Sequence, residues 1–329
     1  MVASSEKYSK NKVMTKFYVY NIQLLPLSDD HREVGISGYK KMFSKMREKN
    51  KEHLQSHTVE QYHYHLHGDQ YLGFDKADFG AGVVTGNFKR YTKTNEVKSL
   101  NKGTTVFRNR TSQTTFSRDH DVPFAFDAKN HYLAIEGGSV LTPERVCSAL
   151  LQFFGDIARQ EFPHHELHIN VLSSSARINE ILETATSYKN VKLSLTFQNG
   201  HASQSLLKEL KDTKTQRLDV AASGGRDGVM TRLPSFMIDM VKAAAIVGSL
   251  KMGYYINGSS ARQTYDSDEM PLHFVVRRSE KDSDESYFAR VLEKTREETQ
   301  LLEASVEDAD ADDSPSDAQD IKSSADDGS

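Results

Sequence analysis

The sequence predicts an α+β fold: a β-rich, basic N-terminal half, an α/β C-terminal half built on a mixed sheet, and a disordered acidic tail. Three observations predict it. Apart from one basic helical stretch, aromatic and β-branched runs broken by Gly, Asn and Asp dominate residues 14–121. Beyond Val122, strand-like and helix-like segments alternate. Residues 305–329 hold nine Asp or Glu and one Lys, with almost nothing apolar to offset the entropy of ordering them. The expected boundaries are 14–121, 122–304 and 305–329.

KFYVYNIQLL, residues 16–25, is the first strand, stopped by Pro26. In GYKKMFSKMREKNKEHL, Tyr39, Met42, Phe43 and Met46 fall at helical spacing. Lys40, Lys41, Lys45, Arg47, Lys49 and Lys51 take the other side. YHYHLHGDQY, residues 62–71, reads as a strand with His63, His65 and His67 on one face. YLGFDKADFGAGVVTGNFKRYT continues as turning β structure. PFAFDAKNHYLAIEGGS reads as two strands around a turn at Lys129 and Asn130. Thr142 then caps a helix that begins with Pro143 and buries Val146, Leu150, Phe153, Phe154 and Ile157. ELHINVLS, a helix near 175–187, KLSLTFQN, a helix over 204–211 and RLDVAA follow. A helix over 234–247 closed by Gly248, the strands LKMGYYING and LHFVVRRS, and a helix from Ser283 complete the body.

With 37% hydrophobic and 27% charged residues, the 329-residue chain has the composition of a globular protein. No apolar run approaches the roughly 20 residues of a membrane span, so no membrane insertion is expected. The start, MVASSEKYSKNK, lacks a secretory apolar segment, and a cytoplasmic location is expected. The lone cysteine, Cys147, lies on a helical apolar stripe and is expected to be a buried, inert thiol. The net charge of −4 less the tail's −8 leaves +4 for residues 1–304.

Several motifs carry little chemistry. Strand neighbours at i and i+2 lie about 6.6 Å apart, so only two of the three histidines could meet one ion, and no spacing selects a third ligand. DFG at Asp78–Gly80 lacks the catalytic and glycine-rich loops of a kinase. In SGGRDG, Gly224, Gly225 and Gly228 lack the Lys-Ser or Lys-Thr pair of a phosphate loop. Asp127 and Glu136 bracket a strand pair as nuclease carboxylates do, but Gly137 and Gly138 follow the glutamate where a lysine is needed. GxSxG, HExxH and GxGxxG are missing. The sequence therefore favours a binding protein without a cofactor over an enzyme, the enzyme alternative being a metal-dependent one built on His63, His65 and His67.

The strongest signal is residues 87–118. Lys89, Arg90, Lys93, Lys98, Lys102, Arg108, Arg110 and Arg118 stand against the single acid Glu96, a balance of +7. Phe88, Tyr91, Phe107 and Phe116 are interleaved with hydroxyls and amides. Cations neutralise phosphates, hydroxyls hydrogen-bond them, and rings stack on bases, so these eight residues are the expected nucleic-acid contacts. The tail would compete with phosphates for them.

FAFDAKNHYLAIEGGSVLTPERVCSALLQFF, with ELHINVLSSSARINEIL, KLSLTFQNGH and PLHFVVRR, resembles landmarks of a bacterial family of undetermined biochemical function associated with phage defence. The layout, over roughly residues 120–280, is similar more distantly to Rex-type phage-exclusion proteins and to the DNA-binding subunit of the Kiwa defence system. The resemblance implies an antiviral role, often dimeric, with nucleic-acid binding and no obvious catalytic centre. The expected protein is a sensor or inhibitor of phage replication that binds nucleic acid, DNA in preference but with RNA left open, as a homodimer or beside a second defence subunit. The alternative is a protein-interaction subunit of a multi-component defence system. It carries over no functional residue, because the shared motifs are strand cores and turns, and the acidic tail departs from it.

Overall fold

A computed structural model describes residues 13–28, 31–32, 34–99, 101–109, 115–196, 215, 217–225 and 228–311. Strand β1 (Val13–Pro26) is its spine, buried without interruption over residues 17–25. Alternation is hidden there because both faces of the strand are covered, as in any sheet packed on two sides. Tyr18, Tyr20, Ile22 and Leu24 enter one core, and Phe17 and Val19 enter a second.

The first core lies under helices α1 (Gly35–Gln55) and α3 (Pro143–Glu161). α1 buries Tyr39, Met42, Phe43 and Met46, as its spacing predicts, and adds Asn50 to the same face. The Thr142 hydroxyl accepts from the Arg145 N–H at the start of α3. Phe43 and Phe154 meet edge-on at 5.0 Å, and Phe88 stacks on Phe153 at 5.4 Å.

One large sheet carries the order β14-β1-β8-β7-β4-β3-β2. Its strands are β2 (Tyr64–His67), β3 (Gln70–Phe79), β4 (Val83–Lys93), β7 (Phe116–Asp127), β8 (Tyr132–Glu136) and β14 (His273–Arg278) beside β1. β9 (His165–Val171) shares an edge of β1 with β14, while β8 takes the other edge. Between β2 and α1 runs the single turn α2 (Val59–Tyr62), and β5 (Glu96–Lys98) pairs with β6 (Thr105–Arg108) apart from the sheet.

The second core separates the large sheet from a smaller one, ordered β11-β10-β12-β13. These are β10 (Ala185–Thr196), β11 (Arg217–Ser223), β12 (Gly248–Ile256) and β13 (Gln263–Asp266). Helices α4 (Ser175–Thr184), α5 (Ser235–Val247) and α6 (Asp284–Ala311) fill the space between the sheets, α5 against β10 and β12, and α6 against β7, β8 and β14. The layers are helix, sheet, helix, sheet.

The α+β class holds, with three corrections of detail. Every described strand pairing is antiparallel, not mixed. β11 and β12 flank β10, so the α5 crossover joins strands that never pair with each other, and alternation along the chain produced no parallel neighbours. Val122 falls inside β7, and the large sheet takes strands from both sides of it, so β14 closes onto β1 across the expected boundary. α6 runs to Ala311, past the expected end of the body at 304. The expected helix over 204–211 and the tail from residue 312 lie outside the described residues.

Gly248 closes α5 for a reason other than a left-handed cap. Its φ of −169° is extended, and a Cβ there would stand 2.0 Å from the Ser194 carbonyl oxygen across the β10 ladder. Asp127 ties distant elements together: its carboxylate, 1% exposed, accepts from the Lys129 N–H, the Asn130 amide and, at 2.7 Å, the Arg296 guanidinium of α6.

Candidate nucleic-acid interface

β4 and β7 pair from Val83↔Asp127 to Lys93↔Phe116. Their ladder continues outward, with the Thr94 N–H donating to Thr115 O and the Asn109 N–H to Asn95 O, both at 2.8 Å. It ends in the hairpin β5–β6, closed by Ser99 and Thr104. The residues are strand formers, Thr104, Thr105, Val106 and Phe107, faced across the turn by Val97. All of β6 is exposed, and Val97, Val106 and Phe107 sit on solvent with no core to enter. The result is an arm, a two-stranded ribbon standing off the large sheet.

The predicted cations divide between this arm and its root. Lys98, Lys102 and Arg108 lie on the arm. Lys89, Arg90, Lys93 and Arg118 lie at the root, where Arg118 adopts φ 53° at a bulge in β7 opposite Tyr91. Arg110 lies outside the described residues. Tertiary neighbours reduce the +7 of the sequence window. Lys89 is held by Asp119 at 3.2 Å and Asp121 at 3.3 Å, and Lys93 by Glu60 at 2.6 Å. Glu96 takes Arg108 at 2.9 Å and Lys98 at 3.6 Å. Arg90, Lys102 and Arg118 form no ion pair among the described residues. His120 faces Arg90 across the ladder; its hydrogen bond to Glu136 raises its pKa, although burial opposes this.

Beside the root opens a cavity of about 450 Å³, walled by α1, α2, β3, β4 and the start of β7. At its back is a closed polar chain. The Asn50 amide donates to Phe74 O at 2.9 Å, which leaves its Oδ1 to accept from His63 Nε2 at 2.8 Å. His63 Nδ1 then accepts from the Tyr91 hydroxyl, also at 2.8 Å, a tautomer that follows from the network. Burial first, and His53 second, lower the His63 pKa to about 4, so the ring is neutral. The Tyr91 phenol is pushed well up by burial, then by Glu60. Gly73 makes room for the imidazole, since a Cβ there would lie 2.4 Å from it.

The three histidines do not share a face. His63 caps α2, its N–H donating to Val59 O, and turns inward, 8% exposed. His65 and His67 are exposed on β2, and the β2–β3 register shifts between them. Among the described residues no three His, Cys, Asp or Glu side chains gather as metal ligands. DFG ends β3 and starts a hairpin turn. Around SGGRDG, Lys189 Nζ donates to Gly225 O at 3.0 Å and Gly228 O at 2.9 Å, so carbonyls face a cation where a phosphate cradle needs N–H groups. Asp127 and Glu136 are committed to Arg296 and His120. Cys147 is half-buried, its thiol pushed up to about 12 by burial and then by Asp268.

Asn50 escaped sequence reasoning. Its signal was there, an amide four residues after Met46 on the apolar stripe of α1, where a polar side chain needs a buried partner.

No helix among the described residues is long and apolar enough to cross a membrane. No curated protein matches the sequence. Residues 13–295 match the family described as a domain of unknown function, DUF4747, and the chain belongs to that family. The match starts at β1 and stops within α6, so it takes in both sheets and the arm and leaves out the acidic tail.

Proposed function

We propose that this DUF4747 protein binds nucleic acid, duplex DNA in particular, through the β5–β6 arm and its root. The observation that carries the proposal is the arm itself: an exposed two-stranded ribbon with Lys98, Lys102 and Arg108 along it and Arg90 and Arg118 at its base. The major groove of B-DNA, about 12 Å wide, admits such a ribbon, whereas the major groove of A-form RNA is too deep and narrow. Arg90, Lys102 and Arg118 supply the strongest phosphate contacts, because among the described residues no carboxylate pairs with them. Lys89 and Lys93 hold the root together through Asp119, Asp121 and Glu60.

A titration of the full chain against duplex DNA, single strands and RNA at two salt concentrations tests this. Deleting one phosphate-binding cation should flatten the slope of log K against log salt by roughly 0.7 to 0.9. Changing Arg90, Lys102 and Arg118 together to Ala should remove about two to three units of slope. The same change at Lys40, Lys41 and Lys45 on α1 should remove none. The opposite result would move the interface to the helix.

The resemblance of FAFDAKNHYLAIE and its companions supports placing this binding in anti-phage defence. Cells carrying the protein should then plate phage less efficiently than cells carrying the triple variant, and equal plating would detach the binding from defence. A second reading, an interaction subunit of a larger defence assembly, is favoured by Val97, Val106 and Phe107, which are exposed apolar side chains on the same arm. It gains if no nucleic acid binds.

A further inference from the structure

We infer that the cavity at the root of the arm receives one unpaired nucleobase. The inference rests on the nucleic-acid proposal and names what part of the nucleic acid enters the protein. About 450 Å³ lies toward the lower end of the roughly 300–1,000 Å³ spanned by small-ligand sites, enough for a ring with part of its sugar and too small for a helix. The walls are aromatic. Tyr91 and Phe116 stand 5.5 Å apart at 56°, and Tyr71 stacks behind Tyr91 at 5.7 Å. Phe116 is 53% exposed among the described residues, a large ring left on solvent at the cavity wall. Every base has a π-face to offer such a surface.

The polar groups decide against a phosphate. Among the described lining residues are Lys89 and His57, and Asp119 and Asp121 already pair with Lys89, while Asp75 adds a further negative charge. A phosphate would meet net negative charge there, whereas a neutral ring would meet donors and acceptors together. The Lys89 ammonium can donate to a base carbonyl, and the Asp75 carboxylate can accept from a ring or amino N–H. At the back, both ring nitrogens of His63 are taken by Asn50 and Tyr91, and Asn50 also donates to Phe74 O, so this chain fixes the wall. The phosphates on either side of the base would fall to Arg90 and Arg118 at the root. A base leaves a duplex most cheaply where it is mispaired, and needs no extraction from a single strand.

The test uses the full chain and three oligonucleotides of one sequence: a matched duplex, a duplex with a single mismatch, and the single strand. The wild type should bind the mismatched duplex about tenfold tighter than the matched one, the scale of a stacked base. Phe116→Ala should erase that preference while leaving affinity for the matched duplex and its salt slope in place. Preference for the single strand over the mismatch, erased by the same substitution, would support the pocket and identify strands, not displaced bases, as the source. 5-Iodouracil placed at the mismatch should photo-crosslink to Tyr91 or Phe116 in the wild type, a measurement that does not depend on any variant folding. Equal affinity for all three oligonucleotides, or crosslinks confined to other residues, overturns the base pocket while the arm proposal stands. No binding to any of them overturns both.

Discussion

Burying an imidazole between Asn50, Tyr91 and Gly73 fixes the charge of His63 as well as its place. Its pKa is about 4 in the folded chain against about 6.5 in an unfolded one, so the unfolded state binds the extra proton first as pH falls. Folding stability is therefore unaffected above pH 6.5, declines between 6.5 and 4, and levels off below 4, with a ceiling of about 3 kcal/mol for this one group. His63→Gln should lower stability at pH 7.5 yet flatten the decline between pH 6.5 and 4.5. Urea unfolding of both proteins at pH 7.5, 5.5 and 4.5 reads this directly. Parallel pH profiles would remove His63 as the cause. The sequence supplied His63 as a residue worth asking about, but its direction came from a cap. Strand periodicity assigned it to the face of His65 and His67, and the end of α2 turned it inward instead.

Among the elements, the arm and the β7–β8 turn make opposite demands on stability. β6 is exposed throughout, and the ion pairs of Glu96 stay within the arm, so replacing residues 96–108 by an Asn-Gly turn between Asn95 and Asn109 removes no core side chain among the described residues. Its effect on stability should stay within about 0.5 kcal/mol, as for surface changes generally. The DNA salt slope should fall by about two to three, for the removal of Lys98, Lys102 and Arg108. A shortened protein that unfolds at lower denaturant would mean that the arm supports the sheet. Asp127 behaves differently, because one buried carboxylate holds the turn at Lys129 and Asn130 and reaches α6 through Arg296. Asp127→Ala should cost about 2–3 kcal/mol in chemical denaturation, the scale of a charged hydrogen bond removed from the interior. A cost below about 0.5 kcal/mol would show that the turn and α6 stand without it. The turn itself was legible in PFAFDAKNHYLAIE, but the tie to Arg296 was not, since 169 residues separate the partners.

For the whole molecule, charge is divided along the chain, +4 over residues 1–304 and −8 over 305–329. A tethered acidic segment competes with DNA phosphates at high effective concentration, and salt screens both contacts. Ending the chain at Ala311 keeps α6 and removes six Asp and one Lys. The shortened protein should bind duplex DNA more tightly at about 50 mM salt, with the gain shrinking as salt rises. Equal affinity at both salts would leave the tail a solubiliser. The sequence by itself determined the helical faces of α1 and α3, the Thr142–Pro143 start and the strand character of β1, β7 and β8. Each of these is encoded by a period or a cap that spans only a few residues. Only the tertiary structure decided that every described strand pairing is antiparallel, that β14 closes on β1, that Asp119, Asp121 and Glu60 restrain Lys89 and Lys93, and that Asn50 meets His63. Those facts depend on which distant segments share an edge or a core, and a one-dimensional pattern carries the side chain's chemistry without the neighbour that completes it.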